Sequence, residues 1–407
     1  MPVNAEFDVV VAGASIAGCT AARLFALAGA RVALVERRPD PEAYKVTCTH
    51  QIQSSAVPTI ERLGLAPLLE RAGAARTRAT SWMVYGGWLR FPPDAPTGYG
   101  ISRRRLDPLL RELATETEGV EYFRGETVTA LLGDRDRVEG VELEGPDRER
   151  RTIRAKLTVA ADGRDSTLAR LARVPARVRP HGRFAYFAYW QGVRTPPTEA
   201  RVWMFDPDAA AVFPNEDDLT VIAAVPHKVR LREFRADPDA AYERMAGSLP
   251  DGPDLAGAER VSKLIGKLEM PNKMRPAARP GIAFAGDAAL ATDPLFGVGC
   301  GWAFQSAEWL VEETHAALLG GRDHDLDRAL DRYRRAFRRR LGPHHMQIAD
   351  FSSGRRMRRN ERTAFRAASK DPVVAAAIEE FVTRRSSVVR VLDPRLTPRL
   401  AATLLRR

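Results

Sequence analysis

The chain has 407 residues, of which 44% are hydrophobic and 28% are charged, and its formal net charge is +11. This length is too great for one small core, and the apolar content excludes global disorder. No run approaches the ~18 consecutive apolar residues of a membrane helix, and the N-terminus lacks the basic and apolar regions of a secretory signal. We therefore expect a cytoplasmic globular protein without a membrane span, built from two domains or one interleaved pair.

The three cysteines, Cys19, Cys48 and Cys300, are far apart in the sequence and form no C-x-x-C motif. This usage is typical of a reducing compartment and argues against a structural zinc site. The histidines have no partners at metal-ligand spacing. We therefore predict that the protein holds no metal.

Much of the positive charge comes from arginine runs near the C-terminus, such as "RYRRAFRRRLGPHH" and "SGRRMRRNERTAFR". One interpretation is an electrostatic surface for nucleic acid. The other is a set of solvated helix faces, which we favour because acidic residues interleave with the runs and no nucleic-acid-binding motif accompanies them. We expect no nucleic-acid partner. The pair His344 and His345 is predicted to lie at a helix terminus.

In chain order, a β-branched run at 7–12 leads into a glycine turn, a helical stretch that ends at Gly29, and a second apolar run, "ARVALVE". This order predicts a strand–helix–strand unit with parallel pairing. Further on, 56–76 is predicted to be helical, "SRRRLDPLLRELATETEG" to be a helix, and 183–226 to form antiparallel strands.

The first turn is similar to a dinucleotide-binding fingerprint in which one glycine is replaced. Gly13 and Gly18 occupy the first and third positions, Ser15 occupies the middle one, and Glu36 ends the second strand. A helix N-terminus supplies amides and dipole to a pyrophosphate, and the acid at the strand end accepts from ribose hydroxyls. A plain strand–turn–helix with glycines for tight packing is the alternative for this window alone.

Two further motifs occur downstream, each after a strand-like run: "TVAADGRDSTLAR" at 158–170 and "GIAFAGDAALATDPLFGVGCGW" at 281–302. Together with the fingerprint they resemble the FAD-dependent aromatic hydroxylase-like superfamily, which includes the group A flavoprotein monooxygenases. The resemblance extends to about residue 345. It implies an α/β fold in which a Rossmann-type FAD-binding domain is interleaved with a mainly antiparallel-sheet substrate domain, followed by a helical C-terminal region. The implied boundaries are 1–69, 102–171 and 276–342 for the FAD-binding domain, 70–101 and 172–275 for the substrate domain, and 343–407 for the C-terminal region.

At the phosphate end of the cofactor, the resemblance implies contacts to the pyrophosphate, the adenosine ribose, the adenine and the flavin phosphates. The implied residues are Gly13, Ser15, Ile16, Ala17, Gly18, Glu36, Arg37, Arg103, Val128, Asp162 and Gly163. We expect the Ser15 turn to contact the cofactor through its backbone, with the serine side chain tolerated.

At the flavin-ring end, the resemblance implies a carboxylate, a proline beside the ring, and a glycine loop that opens a helix. The implied residues are Gly286, Asp287, Pro294, Gly297, Val298, Gly299, Cys300 and Gly301. The chain departs from the family pattern at Ala169, Leu290, Val298 and Gly301. The motifs therefore predict FAD binding but do not identify the subfamily.

The reaction that the resemblance implies is monooxygenation of an organic, aromatic metabolite through a flavin C4a-hydroperoxide. NAD(P)H is the implied electron donor, either directly or through a separate flavin reductase. His50 and Pro294 are the candidate catalytic residues, and a structural loop role is the alternative for His50. The candidate substrate contacts are Trp82, Tyr189, Trp203 and Phe213, for each of which packing in the sheet is the alternative.

Other functions on the same scaffold are a flavin-dependent halogenase and a C=C reductase. The halogenase motif W-x-W-x-I-P is absent from the sequence. A non-catalytic flavoprotein or a basic nucleic-acid binder is the alternative outside the enzymes, and it predicts salt-sensitive DNA binding.

Overall fold

The computed structural model describes residues 4–89, 91–320, 322–387, 394–396 and 398–400. The strands, in chain order, are β1 (Asn4–Ala12), β2 (Val32–Glu36), β3 (Gln51–Ile52), β4 (Ala75–Met83), β5 (Gly87–Trp88), β6 (Gly98–Gly100), β7 (Val120–Arg124), β8 (Thr127–Gly133), β9 (Val138–Glu144), β10 (Arg150–Ala160), β11 (Arg177–Arg179), β12 (Ala185–Gln191), β13 (Glu199–Met204), β14 (Ala209–Pro214), β15 (Thr220–Val225), β16 (Glu259–Arg260), β17 (Ile265–Lys267), β18 (Asn272–Met274), β19 (Ala278–Arg279), β20 (Ile282–Phe284) and β21 (Leu290–Ala291). The α-helices are α1 (Ile16–Leu27), α2 (Val57–Arg62), α3 (Ala66–Arg71), α4 (Arg103–Thr115), α5 (Thr167–Leu171), α6 (Leu231–Ala236), α7 (Pro238–Gly247), α8 (Gly299–Leu319), α9 (Asp323–Phe351), α10 (Arg359–Ala368) and α11 (Pro372–Val382).

The first sheet has eight strands, and its main path runs β19-β20-β10-β1-β2-β7. The pairs β20–β10, β10–β1, β1–β2 and β2–β7 are parallel, while the β8–β9 hairpin joins β10 antiparallel. Val9, Val10 and Val11 of β1 are fully buried, as expected for a parallel strand covered on both faces. The predicted Rossmann-type α/β sheet is confirmed.

Two glycines explain how β1 and α1 meet so closely. A side chain at Gly18 would place its Cβ 1.7 Å from the carbonyl oxygen of Gly13. Gly13 itself has a φ of +105°, and its Cβ would lie 2.6 Å from the carbonyl oxygen of Ala161. Only glycine fits a backbone contact this close, so packing alone requires the fingerprint spacing.

The second sheet has ten strands with the main path β16-β12-β15-β14-β13-β4-β6-β3, while β17 pairs with β12 and β5 pairs with β4. Its pairs are antiparallel except β4–β13, which is parallel. This confirms a mainly antiparallel second layer. Strand β3 (Gln51–Ile52) belongs to this sheet although it lies within segment 1–69, so the chain passes between the layers at the loop before β3. The exact domain boundaries stay a prediction.

The C-terminal part is helical, as predicted, but its first helix starts earlier than residue 343. Helix α9 runs without a break from Asp323 to Phe351. His344 and His345 are buried within it, so the prediction that they lie at a helix terminus is wrong. Residues 388–393, 397 and 401–407 of the predicted C-terminal region lie outside the described residues. Across the described ranges, no helix is both long enough and apolar enough to span a bilayer.

Replacing Gly18 by alanine tests the contact between β1 and α1. We expect Gly18→Ala to lower the free energy of unfolding by about 3 kcal/mol, because the new methyl overlaps the Gly13 carbonyl. Gly299→Ala is the matched control, since a Cβ there has no heavy atom within 4 Å. Urea unfolding measures both variants, and equal midpoints would contradict the packing argument.

Candidate cofactor site

The site begins at the turn between β1 and α1. The amide of Ala14 donates a hydrogen bond of 2.9 Å to Oε2 of Glu36, while Oε1 of Glu36 accepts from the amide and Nε of Arg38, both at 3.0 Å. Burial alone would raise the pKa of Glu36, but these hydrogen bonds and the charge of Arg38 hold it below its ordinary value. The carboxylate is therefore ionised and joins the end of β2 to the turn. It keeps lone-pair capacity for a further donor such as a ribose hydroxyl.

Ser15 has a more specific role than the sequence suggested. Its Oγ accepts a hydrogen bond of 2.6 Å from Nη2 of Arg103, the first residue of α4. Nε of Arg103 donates to Oδ1 of Asp107 at 2.8 Å, and both side chains are almost fully buried. Oδ2 of Asp107 accepts from the amide of Lys45 at 2.9 Å. Burial favours the neutral form of Arg103, but the charge of Asp107 outweighs it and raises the pKa.

The Gly286-Asp287 pair approaches the first turn of α1 from β20. A Cβ at Gly286 would lie 2.9 Å from the Cβ of Ala17, so this glycine permits close packing onto α1. Nζ of Lys45 donates to Oδ2 of Asp287 at 2.8 Å. Burial would raise the pKa of Asp287, and the charge of Lys45 lowers it below its ordinary value. A cation and a carboxylate thus lie next to the amides that begin α1.

The other predicted residues of the phosphate end lie around this turn. Oδ2 of Asp162 accepts from the amide of Leu168 at 3.1 Å, while its Oδ1 is buried without a hydrogen-bond partner. Gly163 follows with a φ of +87°. Val128 is buried in β8, shortly after the turn whose Gly125 amide donates to the Glu36 carbonyl at 2.7 Å. Arg37 is exposed, so at this strand end it is the next residue, Arg38, that binds Glu36.

The ring end is the loop 294–301, which opens α8. Nε2 of Gln53 donates to the carbonyl of Phe296, which joins this loop to the residues after β3. The preceding Asp293 is fully buried and accepts from Nη2 of Arg183 at 3.0 Å, with Nε2 of His181 at 2.6 Å from its other oxygen. The buried carboxylate anchors the start of the loop in the substrate layer. The loop glycines and Val298 lead into α8, whose first amides point toward the loop.

His50 connects the two layers of the molecule. Its Nδ1 accepts from the amide of Arg103 at 2.9 Å, and its Nε2 lies 2.6 Å from the hydroxyl of Tyr189. Because Nδ1 is an acceptor, the ring proton is on Nε2 and faces Tyr189. Burial, and then the charge of Cys48, raise the pKa of Tyr189. His50 is 1% exposed and has a φ of +63°, which is a strained backbone conformation. Its hydrogen bonds to the Arg103 amide, the Tyr189 hydroxyl and Sγ of Cys48 hold it there.

Two thiols meet beside this pair. The Sγ atoms of Cys48 and Cys300 are 3.7 Å apart, and the amide of His50 donates to Sγ of Cys48 at 3.3 Å. The contact with the Cys300 thiol lowers the pKa of Cys48 well below its ordinary value and raises that of Cys300. Cys48 is therefore the more acidic thiol of the pair. Cys300 was predicted only for its backbone, and nothing in the spacing of residues 48 and 300 indicated that they meet.

An apolar pocket adjoins the ring-end loop. Its open volume is about 30 Å³, and it lies between β4, β13 and the C-terminal helices. The lining residues are Gln53, Ala79, Ser81, Met83, Leu89, Val202, Met204, Phe296, Phe365 and Val382. Two methionines in the wall allow the pocket to change shape when a ligand enters.

The predicted substrate residues lie elsewhere on the second sheet. Trp203 is fully buried and its Nε1 donates to the Pro250 carbonyl at 2.8 Å. Trp82 packs against Phe205 on the same side. Phe213 and Tyr189 belong to a cluster that includes Val202, which lines the apolar pocket. Their contacts with a substrate stay a prediction.

The residues fit FAD on three observations. The close contact between Gly13 and Gly18 brings the start of α1 to the end of β1, where the first amides of the helix can bind a phosphate. The buried Oδ1 of Asp162 lacks a hydrogen-bond partner among the residues that the structure describes. Nη2 of Arg103 lies 2.6 Å from Oγ of Ser15, which places a guanidinium donor at the fingerprint turn. In the described part of the chain no cluster of three or more His, Cys, Asp or Glu side chains has the geometry of a metal site.

Residues 6–345 match the family model described as an FAD binding domain. Digeranylgeranylglycerophospholipid reductase 1 of Methanopyrus kandleri is 30% identical over 302 residues, which cover 72% of this chain and 76% of that protein. Tryptophan 2-halogenase of Chondromyces crocatus is 24% identical over 359 residues, which cover 83% of this chain and 66% of that protein.

Among solved structures, the flavin-dependent brominase Bmp2 superimposes with a TM-score of 0.78 at 18% identity and covers 98% of both chains. At this identity the likeness concerns the fold. The family model spans most of the chain, and the three motifs that it shares lie together in one site. The chain therefore belongs to the FAD-binding-domain family of FAD-dependent oxidoreductases, the aromatic hydroxylase-like family.

Proposed function

We propose that the protein is an FAD-dependent reductase that saturates a carbon–carbon double bond of an apolar organic substrate. The observation that carries this proposal is the apolar pocket, which shares Gln53 and Phe296 with the ring-end loop and has no charged residue in its lining. An uncharged pocket of this kind suits an apolar group next to the flavin and keeps water out, and movement of its two methionines would enlarge it for a longer chain. When bound, FAD supplies the two-electron chemistry.

The thiols favour reduction over oxygen transfer. A thiol of lowered pKa such as Cys48 is readily oxidised by peroxides, whereas hydride transfer leaves it intact. The relative from Methanopyrus kandleri, 30% identical over 302 residues, is itself named a reductase. By analogy with it, the substrate is a polyprenyl-type chain.

The proposed source of the proton is Tyr189, with His50 as its positioning residue. The raised pKa of Tyr189 keeps its phenol protonated, and the proton on Nε2 of His50 holds the phenol oxygen in place at 2.6 Å. Tyr189 packs in the same cluster as Val202 of the apolar pocket. Pro294 remains a candidate residue beside the ring. The proposed electron donor is NAD(P)H, directly or through a separate flavin reductase, and three free thiols suit a cytoplasmic location.

Monooxygenation is the second candidate, and the small open volume of the apolar pocket favours it. An open volume of about 30 Å³ leaves room for about one water molecule, and exclusion of water protects reactive oxygen chemistry.

The cofactor contacts are tested by FAD titration of the apoprotein. We expect Arg103→Lys to weaken FAD binding about tenfold, because lysine keeps the charge but loses the fork that joins Ser15 to Asp107. Ser15→Ala is the control and should stay within about threefold, since it loses one neutral hydrogen bond. Flavin fluorescence quenching reports the dissociation constants. Equal loss in both variants would contradict the central role of Arg103.

The reaction type is tested with a neutral polyprenol and dithionite-reduced enzyme in the absence of oxygen. A reductase forms a product with two added hydrogen atoms under these conditions. Mass spectrometry of the product decides the outcome: an added oxygen atom that appears only in air supports monooxygenation, and a bromine or chlorine atom that appears only with halide supports halogenation. Either result would overturn the reductase proposal.

The proton donor is tested by Tyr189→Phe. We expect turnover to fall about 100-fold without a change in FAD content, because phenylalanine keeps the ring and removes the proton. Tyr186→Phe is the matched control on the same strand, where the Tyr186 ring stacks on Phe234 away from His50. Anaerobic flavin reoxidation by substrate is the measurement. An unchanged rate in Tyr189→Phe would exclude this residue as the donor.

A further inference from the structure

A second cavity, the arginine pocket, lies where α8, α9 and the residues after α11 meet. Its volume is about 480 Å³. Its wall includes Trp302 and Trp309 from α8, Arg339, Arg340 and His344 from α9, and Arg384. No aspartate or glutamate belongs to its described lining.

Arg384 is the central feature of the arginine pocket. It is 9% exposed. Nη1 donates to Nδ1 of His344 at 2.8 Å, Nη2 donates to Gln347 at 3.4 Å, and Nε is buried with no hydrogen-bond partner in the part of the chain that the structure describes. Among the described residues it forms no ion pair, whereas the buried Arg103 and Arg183 each bind an aspartate. A buried guanidinium without a carboxylate is costly unless an anion completes it.

The surroundings do not neutralise this charge. Nδ1 of His344 accepts from Arg384, and burial, with the charge of Arg384, lowers the pKa of His344 to about 4, so the imidazole is neutral. The guanidinium of Arg340 lies 4.5 Å from the Trp309 ring centroid. The buried indole nitrogen of Trp302 has no hydrogen-bond partner within the described ranges. The arginine pocket therefore offers several donors and net positive charge to an anion.

The arginine pocket adjoins the apolar pocket through one side chain. The guanidinium of Arg384 lies 4.6 Å from the ring centroid of Phe296, and Phe296 lines the apolar pocket. Val382, two residues before Arg384, lines it as well. The two pockets are therefore neighbours that meet at the side chain of Phe296.

We propose that the arginine pocket binds the phosphate head group of an amphiphilic substrate whose apolar chain enters the apolar pocket. The role of the substrate's apolar chain in this inference rests on the proposed function. The anion site itself rests on Arg384, which has no carboxylate partner among the described residues. Phosphate suits the pocket because planar guanidinium groups bind its oxygens in pairs. Several arginines also match the double negative charge of a phosphate monoester.

Calorimetry on the FAD-loaded full-length protein tests the proposal with octyl phosphate, octanol and inorganic phosphate. We expect octyl phosphate to bind at least about tenfold more tightly than either single part, and Arg384→Gln to remove about tenfold of that affinity, as a charge-assisted hydrogen bond predicts. Octanol affinity should not change. Arg384→Lys should recover part of the loss, and Arg335→Gln, on the exposed face of α9, should bind as the parent protein does.

A second variant separates binding from folding. Arg384 has a φ of +65°, a conformation that glycine adopts without strain, so Arg384→Gly removes the side chain and eases the backbone. Its thermal unfolding midpoint checks the fold, and we expect the same loss of octyl phosphate affinity.

Three outcomes would overturn the inference: parent-like octyl phosphate binding in Arg384→Gln and Arg384→Gly, octyl phosphate binding no tighter than octanol, or tight inorganic phosphate binding with no gain from the octyl chain. The last result would assign the site to free phosphate. If one of these three outcomes is found but all variants still reduce a neutral polyprenol, the proposed function is left intact. Octyl phosphate binding that depends on Arg384, without any reduction by the parent protein, would overturn only the proposed function.

Discussion

Arg103 holds the two ends of the cofactor site in one arrangement. Its side chain binds Ser15 of the fingerprint turn and Asp107, while its amide binds the ring of His50. Through Asp107 it also positions Lys45, which reaches Asp287. Because the pair is almost fully buried, its charges interact in a medium that screens them weakly. The phosphate end, the ring end and the substrate layer are thus connected through one guanidinium and its backbone.

The arginines of this protein differ in whether they form an ion pair with a carboxylate. Arg355 and Arg358 form ion pairs with Asp350 and Glu361 on the C-terminal helices. Such pairs neutralise much of the arginine-rich sequence and agree with our interpretation of solvated helix faces. Arg384 differs because it is buried and lacks a carboxylate among the described residues. Burial without a partner, rather than a high count of arginines, is therefore the physical signal that indicates an anion site.

The site combines apolar enclosure with a short chain of proton-carrying groups. His50 lies between the Arg103 amide and the Tyr189 hydroxyl. Because the amide can only donate, Nδ1 is the acceptor and the ring proton is on Nε2. The amide of His50 also donates to Sγ of Cys48. The apolar pocket shares Gln53 and Phe296 with the ring-end loop and adds an uncharged wall to the site.

Local sequence determined the parallel sheet, the glycine turn and the order of the three motifs. Those features depend on backbone sterics and on side chains a few residues apart: glycine at position 18 is required by the carbonyl five residues earlier. The strand–turn–strand pattern between 183 and 226 also predicted the antiparallel strands of the second layer.

Only the tertiary structure brought together residues that no spacing rule connects. Ser15 meets Arg103, Cys48 meets Cys300, and His50 meets Tyr189 across long separations in sequence. The packing of the second sheet encloses Trp203. The packing of the C-terminal helices leaves Arg384 without a carboxylate partner among the described residues. Long-range contacts of this kind depend on how sheets and helices pack, because burial, hydrogen-bond partners and the resulting pKa shifts exist only after the chain has folded.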